Sequence, residues 1–291
     1  MKPAPFKYVA PGSLDEALTL KAAHGEDARF LAGGQSLVPT LNFRLAQPSV
    51  IIDINLLSGL SGIQRQNGHA LCIGALTRYR ALERDPLVAD TLPLVHEALP
   101  HIAHPQIRNR GTMGGNIAHA DPASELPAIV LALGGRLRVQ SATGSRWIEA
   151  RDFFLAQLTT ALEPDEMLVE IELPARTGRS GFCFMEVARR RGDFALMGIA
   201  ASVTLGEDGS CAGARLALCG AGETPVDVSD AATSLIGQRA DRADVAEAAA
   251  TVQKAIDPAG SIHASKAFQR HLAGVLVKRA ISTALERAQD G

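Results

Sequence analysis

Two glycine pairs, each followed by a polar side chain, are the residues of this sequence whose spacing points to chemistry. They lie in residues 33–36 (GGQS) and 111–116 (GTMGGN). Glycine tolerates positive φ and has no Cβ, so consecutive main-chain N–H groups can converge on one anion. Ser36 and Asn116 are predicted near helix starts, where unpaired N–H groups and the helix dipole favour phosphate. We therefore expect the two segments to meet in space and to bind one pyrophosphate.

The elements that must position these segments are predicted from periodicity and turn residues. Residues 29–32 read as a short strand entering the first segment, and residues 36–45 as a helix with one apolar face. Residues 100–111 are predicted to form an irregular basic loop that leads into the second segment. A helix over 122–133 follows it, while Asn67 and Gly68 predict a hairpin turn.

The pattern changes after a polar segment with Gly and Pro at 174–181. Beyond it, strands that could form an antiparallel sheet are predicted at 182–187, 198–205 and 213–218, and helices at 227–236, 241–256 and 265–287. We expect a domain of residues 1–177, made of two subdomains (roughly 1–57 and 58–177), and a C-terminal domain of residues 178–291.

Composition excludes several classes of function. The chain has 291 residues and a formal net charge of −2, without a basic stripe, so nucleic acid is not an expected partner. No apolar run reaches about 18 residues, so no membrane span is predicted. The four cysteines show neither CxxC nor Cys/His ligand spacing, which predicts no metal centre and no disulfide framework. We expect reduced thiols and a cytoplasmic location.

Neither glycine segment is specific on its own. The dinucleotide fingerprint GxGxxG is absent, and no P-loop lysine follows residues 33–36. Residues 33–36 are equally compatible with a plain turn, and residues 114–115 with a helix C-cap. Taken together with Asn116 and the downstream run ADPASELP, they favour a shared ligand over two unrelated turns.

The segments AGGQSLVPTLNFRLAQP and IRNRGTMGGNIAHADPASELPA resemble the FAD-binding medium subunit of molybdenum hydroxylases, a family that includes carbon monoxide dehydrogenase and the FAD domain of xanthine dehydrogenase. The similarity extends over the whole chain, including FKYVAPGSLDEAL and ARRRGDFALMGIAA. It implies an α+β fold: a p-cresol methylhydroxylase-type FAD-binding domain of two subdomains, followed by a C-terminal domain with a three-stranded antiparallel sheet and helices.

The resemblance also implies which residues contact FAD. Glu125 corresponds to a carboxylate at the adenosine ribose, where the xanthine dehydrogenase branch has Asp. Leu168 and Phe194 match an apolar and an aromatic contact, although either could be a core residue. Met185 stands where that branch has a flavin-contacting lysine, which weakens the case for NAD reduction. The remaining expected contacts are Arg29, Phe30, Leu31, Ala32, Gly33, Gly34, Gln35, Ser36, Leu37, Ile102, Thr112, Gly114, Gly115, Asn116 and Ala118.

Four further titratable residues near these motifs are candidates for other roles. His119 and Asp121 are spaced i, i+2, which does not ensure that they meet, so a loop-stabilising or pyrophosphate-side role is expected rather than acid–base catalysis. His101 and His104 lie in the basic loop, which we expect to dock a partner rather than bind a metal. No catalytic residue and no metal ligand is therefore predicted on this chain.

By this resemblance, the chain is an FAD-carrying electron-transfer subunit of a molybdenum–iron–sulfur–flavin hydroxylase or dehydrogenase. Its expected partners are a 2Fe-2S small subunit and a molybdopterin large subunit, in a heterotrimer or a dimer of heterotrimers. Two alternatives stay open: a self-contained flavin reductase or oxidase of the same fold, and a nucleotide-binding assembly subunit without a redox role.

Overall fold

A small parallel sheet forms the N-terminal part of the computed structural model, which describes residues 2–66 and 69–290. Its strands run in the order β1-β3-β2, and both neighbouring pairs are parallel. Parallel strands need crossover connections, which the two helices of this part supply. The elements are β1 (Lys7–Val9), α1 (Leu14–His24), β2 (Ala28–Leu31), α2 (Leu37–Asn42) and β3 (Val50–Asp53).

A five-stranded antiparallel sheet forms the second part, with the order β4-β5-β10-β6-β7. The turn predicted at Asn67 and Gly68, between β4 and β5, lies outside the described residues. A separate small hairpin pairs β8 with β9. The strands are β4 (Ile63–Gln66), β5 (Ala70–Gly74), β6 (Arg136–Ser141), β7 (Gly144–Glu149), β8 (Phe154–Ala156), β9 (Thr159–Thr160) and β10 (Met167–Pro174).

In the described part of the chain, seven short helices accompany the second sheet, and all but α6 share one core with its inner residues. The predicted helix over 122–133 begins later than expected, at Glu125, because Asp121 accepts the Ala123 N–H at 2.9 Å and holds a turn there. The helices are α3 (Tyr79–Arg84), α4 (Pro86–Thr91), α5 (Pro93–Ala98), α6 (Pro105–Arg108), α7 (Met113–His119), α8 (Glu125–Leu133) and α9 (Ala150–Phe153).

The C-terminal part packs two helices on an antiparallel sheet. The three predicted strands are present, and a two-residue strand extends the sheet to four in the order β11-β12-β13-β14. The helix predicted at 227–236 is present as a shorter 3₁₀ helix at 229–235, because its first residue belongs to the short strand. The side chain of Ser229 bonds to Leu216 on β13 and draws this segment onto the sheet edge. The elements are β11 (Arg179–Ala188), β12 (Ala195–Leu205), β13 (Cys211–Cys219), β14 (Val226–Asp227), α10 (Arg242–Ala255) and α11 (Lys266–Asp290), with a 3₁₀ segment at Ser229–Leu235.

An ion pair and a shared core join the C-terminal sheet to the rest of the molecule. Arg287 on α11 donates to Glu97 on α5 at 2.8 Å and also to the Phe182 carbonyl. Glu97 in turn accepts the Phe184 N–H at 3.3 Å. Phe182 and Phe184 are buried in the same core as the helices of the second part. The two halves therefore pack as one continuous body around α5 and β11.

Candidate functional site

The first glycine segment forms a bend between β2 and α2 whose main-chain N–H groups are free. Gly34 has φ +74°, a conformation that glycine tolerates best. Within the described part of the chain, the five consecutive N–H groups from Gly33 to Leu37 donate to no protein acceptor. Gln35 stabilises the bend through a 3.0 Å bond from its side-chain amide to the Gly33 carbonyl. Such a run of unpaired donors is suited to bind an anion.

The second glycine segment differs from the prediction, because its glycines lie inside a helix. Thr112, not Asn116, is the N-cap of α7, and its hydroxyl accepts the Gly115 N–H at 3.1 Å. The N–H groups of Met113 and Gly114 bond to carbonyls of residues 77 and 75. Three N–H groups expected to bind phosphate are therefore already used. The sequence could not show the use of the Met113 and Gly114 N–H groups, because their acceptors come from the segment after β5.

Close packing explains the glycines of this second segment. A Cβ on Gly114 would collide with the backbone of Ala75, so the absence of a side chain lets α7 approach the end of β5. A Cβ on Gly111 would enter the ring of Tyr79, which is itself buried. These glycines therefore set the distance between α7 and the second sheet.

The two glycine segments meet, as predicted. A Cβ on Gly33 would lie 2.5 Å from the Arg110 carbonyl oxygen and 2.8 Å from the Gly111 Cα. A Cβ on Gly115 would lie 3.6 Å from the Cβ of Ala32. At Gly33 only a residue without a side chain allows this approach, whereas the Gly115–Ala32 distance is an ordinary van der Waals contact. The unpaired N–H groups of the first segment consequently lie beside the start of α7.

Buried acceptors without partners lie next to this junction. Asn116 Nδ2 donates to the Ser124 hydroxyl at 3.3 Å, but its Oδ1 is buried and has no hydrogen-bond partner within the described residues. Glu186 Oε2 on β11 is likewise buried and has no hydrogen-bond partner among the described residues, and the Glu186 carboxylate is close enough to Glu125 to raise its pKa. Unpaired buried acceptors are costly, which is consistent with a ligand that donates hydrogen bonds. Sequence reasoning did not identify Glu186, because only the packing of β11 against the second part brings it here.

Glu125, the first residue of α8, is 4% exposed. Burial raises the pKa of its carboxyl group to about 8, and the Glu186 carboxylate adds to that rise, while His101 opposes it. His101 Nδ1 lies 3.3 Å from Glu186 Oε1, and that contact raises the pKa of the imidazole. Glu125, Glu186 and His101 thus form one interacting group of titratable side chains.

The other predicted contacts fall into buried and exposed sets. Phe30 faces α1, with the Lys21 ammonium 5.9 Å from its ring centre, so its side chain belongs to the N-terminal core. Ile102 and Leu168 are buried in the main core. Phe194 is 61% exposed on the turn between β11 and β12. Arg29 is exposed on β2, while Leu31, Ala32, Ser36, Leu37 and Ala118 are partly buried.

The predicted basic loop of residues 100–111 is partly wrong, since it contains a short helix and a buried arginine. Arg108 is 7% exposed and donates to the carbonyls of Ile102 and Ala103 at 3.1 Å each, while also pairing with Glu83. Arg108 therefore holds this segment in place and is not a docking residue. His104 remains exposed and lies against Gly192, so the turn that carries Phe194 packs on this segment.

Within the described residues, the candidates His101, His104, His119 and Asp121 form no hydrogen bond or ion pair with one another. In residues 2–66 and 69–290, no group of three His, Cys, Asp or Glu side chains could hold a metal ion. Asp121 accepts the Ala123 N–H, and no hydrogen bond or ion pair joins its side chain to His119. Met185 packs against the C-terminal core and brings no charge. No described helix is long and apolar enough to cross a bilayer.

The donor set at the junction fits a diphosphate-linked cofactor. The first glycine segment has five consecutive N–H groups without a protein acceptor, and the guanidinium groups of Arg78 and Arg110 are close enough to repel each other. Asn116 Oδ1 is a buried acceptor without a hydrogen-bond partner among the described residues. Positive charge and unpaired N–H groups favour a diphosphate, while the acceptors suit hydroxyl or N–H groups of the attached nucleotide.

Comparison with known proteins agrees with this chemistry. Residues 4–176 match the family described as the FAD binding domain in molybdopterin dehydrogenase, and residues 182–284 match the CO dehydrogenase flavoprotein C-terminal domain. The chain is 41% identical to the 6-hydroxypseudooxynicotine dehydrogenase complex subunit alpha of Paenarthrobacter nicotinovorans, over 99% of this chain and 97% of that one. It is 34% identical to the carbon monoxide dehydrogenase medium chain of Afipia carboxidovorans, over the full length of both.

Solved structures show the same fold. A carbon monoxide dehydrogenase chain from Hydrogenophaga pseudoflava superposes with a TM-score of 0.96 at 36% identity, covering 99% of each chain. A chain of quinoline 2-oxidoreductase from Pseudomonas putida 86 gives 0.93 at 37% identity, again over 99% of each. The predicted α+β architecture, with an FAD-binding domain and a C-terminal antiparallel sheet, is thereby confirmed. This chain belongs to the family of FAD-binding subunits of molybdopterin dehydrogenases, and its cofactor is FAD.

Proposed function

We propose that this chain is the electron-transfer subunit of a heterotrimer, working between a 2Fe-2S small subunit and an external acceptor, with a molybdopterin large subunit oxidising the substrate. One observation is the main support for this proposal. The chain spans 97–100% of relatives whose names describe them as a subunit of a dehydrogenase complex or as a medium chain. Bound FAD would supply the redox chemistry, and the protein would supply its position and surroundings.

We propose that the first glycine segment binds the diphosphate and that the second shapes the wall beside it. The N–H groups of residues 33–37 are the donors, and Arg110 adds positive charge next to them. In this proposal Asn116 Oδ1 and Glu125 bind the sugar or the flavin, which is supported by their burial and by the unpartnered Asn116 Oδ1. The remaining contacts implied by the resemblance, from Arg29 to Phe194, are part of the same proposal.

The division into domains is part of this proposal. A boundary near residue 177, with subdomains of roughly 1–57 and 58–177, is supported by the separate sheets and by family matches that end at 176 and resume at 182. A cytoplasmic location is supported by the four cysteines, all of which are free thiols.

Affinity purification of the tagged full-length chain from its native cells tests the proposal. The expected result is a yellow complex that contains one larger and one smaller chain, with molybdenum and iron in fixed ratio to FAD. Substrate should bleach the flavin absorbance only when all three chains are present. A chain that is isolated alone and turns over substrate alone would instead be a self-contained flavin enzyme. A colourless chain that FAD cannot reconstitute would be an assembly subunit.

A further inference from the structure

The side chain of Asn55 lies behind the first glycine segment. Its Nδ2 donates to the Ala32 carbonyl at 2.8 Å and to the Leu31 carbonyl at 3.2 Å. It also donates to Asp53 Oδ1 at 2.6 Å, and Asp53 is bound in turn by the Tyr8 hydroxyl at 2.5 Å. In a trans peptide the C=O and the N–H point in opposite directions. Because Asn55 donates to the Ala32 carbonyl, the Gly33 N–H of the same peptide lies on the side of the backbone that faces away from Asn55.

Arg78 connects this support to the second glycine segment. Its backbone forms an isolated antiparallel bridge with Thr112, the N-cap of α7. Its guanidinium donates from Nη2 to Asn55 Oδ1 at 2.6 Å and from Nη1 to the Arg110 carbonyl. That carbonyl is the group against which Gly33 packs. Arg78 thus contacts residues that flank both glycine segments.

We propose that Asn55 and Arg78 act as a positioning pair, whose mutual hydrogen bond fixes the first glycine segment against the second and so sets the affinity for FAD. Neither residue is among the contacts implied by the resemblance. The inference rests on the proposed FAD site, because it assumes that residues 33–37 bind the diphosphate.

The chemistry of the two side chains explains why this pair suits the task. The planar guanidinium reaches two acceptors in fixed directions at once, which a lysine ammonium on a flexible stem does not do. A hydrogen bond from a charged donor is stronger than one between neutral groups. The amide of Asn55 supplies both a donor for the segment's carbonyls and an acceptor for Arg78, and aspartate would lose the donor. Substitution at either residue should therefore loosen the same contact.

Titration of FAD into the FAD-free full-length chain, followed by flavin fluorescence and by visible circular dichroism, tests the pair. Asn55→Ala and Arg78→Met should each weaken binding about tenfold, the factor that corresponds to roughly 1.4 kcal/mol. The double variant should be weakened far less than the product of the single effects, because both substitutions break one shared bond. Arg78→Lys should restore only part of the affinity. Ser61→Ala, which lines the same cavity beside Arg78, is the control and should bind as the wild type does.

The outcomes separate the positioning pair from the proposed site. A wild-type chain that does not bind FAD would overturn the site and the pair together. Tight binding by the wild type, with dissociation constants unchanged in Asn55→Ala and Arg78→Met, would overturn the pair alone. So would single effects that multiply in the double variant, or a loss of affinity that only follows a lower melting temperature of the FAD-free chain. If Arg78→Met does not fold, Arg78→Lys carries the same comparison.

Discussion

Replacing Glu125 by Gln should remove a pH-dependent loss of stability from the FAD-free chain. The side chain is 4% exposed, and burial raises the pKa of its carboxyl group from 4.5 to about 8. In the unfolded chain the same group ionises near its ordinary pKa. Between those two values the folded protein binds more protons than the unfolded one, so stability falls as the pH rises. At high pH the whole shift corresponds to at most about 5 kcal/mol.

The part of this loss that can be measured conveniently lies in the neutral range. Between about pH 5.5 and about pH 7.5, the two pKa values give a decrease of roughly 2.5 kcal/mol in the free energy of unfolding. His101 contributes a slope of the same sign, because its contact with Glu186 raises the pKa of the imidazole and that stabilisation is lost as the pH rises. The difference between wild type and Glu125→Gln reports the Glu125 contribution together with its effect on His101, whose pKa the Glu125 carboxylate also raises.

Urea unfolding of both proteins at three pH values measures this difference. Relative to the wild type, the free energy of unfolding of Glu125→Gln should rise by about 2.5 kcal/mol between about pH 5.5 and about pH 7.5. Glu149→Gln, which changes an exposed carboxylate at the end of β7, should show no such gain. A constant difference between Glu125→Gln and the wild type at all pH values would refute the reasoning, because a carboxylate that stays ionised in the fold gives no such slope.

Three further substitutions test the packing around the site. Gly33→Ala should weaken FAD binding by at least about tenfold in a fluorescence titration, because its Cβ would lie 2.5 Å from the Arg110 carbonyl oxygen. Gly144→Ala, which has open space around its Cβ, is the control, and equal affinities of the two variants would contradict the close approach. Gly181→Ala should lower the free energy of unfolding by about 1–3 kcal/mol, because the new methyl group would collide with the backbone of α11. An unchanged melting temperature would show that the helix can move away. Phe194→Ala should change that free energy by less than about 0.5 kcal/mol, since its ring is 61% exposed, and a larger loss would mean that the ring is packed.

The first glycine segment was predictable because its signal is local. A glycine pair between an apolar strand and a helical pattern predicts a bend with unpaired N–H groups, and the structure has that bend at residues 33–37. The second segment was predicted less well. Its N–H groups are used by carbonyls of Ala75 and Thr77, which belong to another element. Sequence pattern reports which groups a segment contains, but tertiary contacts decide which of them stay free.

The group around Glu125 shows a second limit of sequence reasoning. Glu186 and His101 carry no pattern that connects them, because they are brought together only when β11 packs on the second part of the chain. The segment at 227–236 shows a third limit of sequence reasoning. Residues 229–235 form a 3₁₀ helix instead of the predicted longer helix, while Asp227 belongs to a short strand and Ser229 bonds to β13 at the sheet edge. The overall α+β architecture was implied by the family resemblance, which rests on both glycine segments together, and it was correctly predicted.

A structure of this chain with FAD bound tests the central claim most directly. The account predicts that the diphosphate oxygens accept hydrogen bonds from N–H groups of residues 33–37, and that the N–H groups of Met113, Gly114 and Gly115 keep their present protein acceptors. It also predicts a donor of the cofactor within hydrogen-bond distance of Asn116 Oδ1. A diphosphate bound away from residues 33–37, or held by the N-terminus of α7 instead, would contradict it.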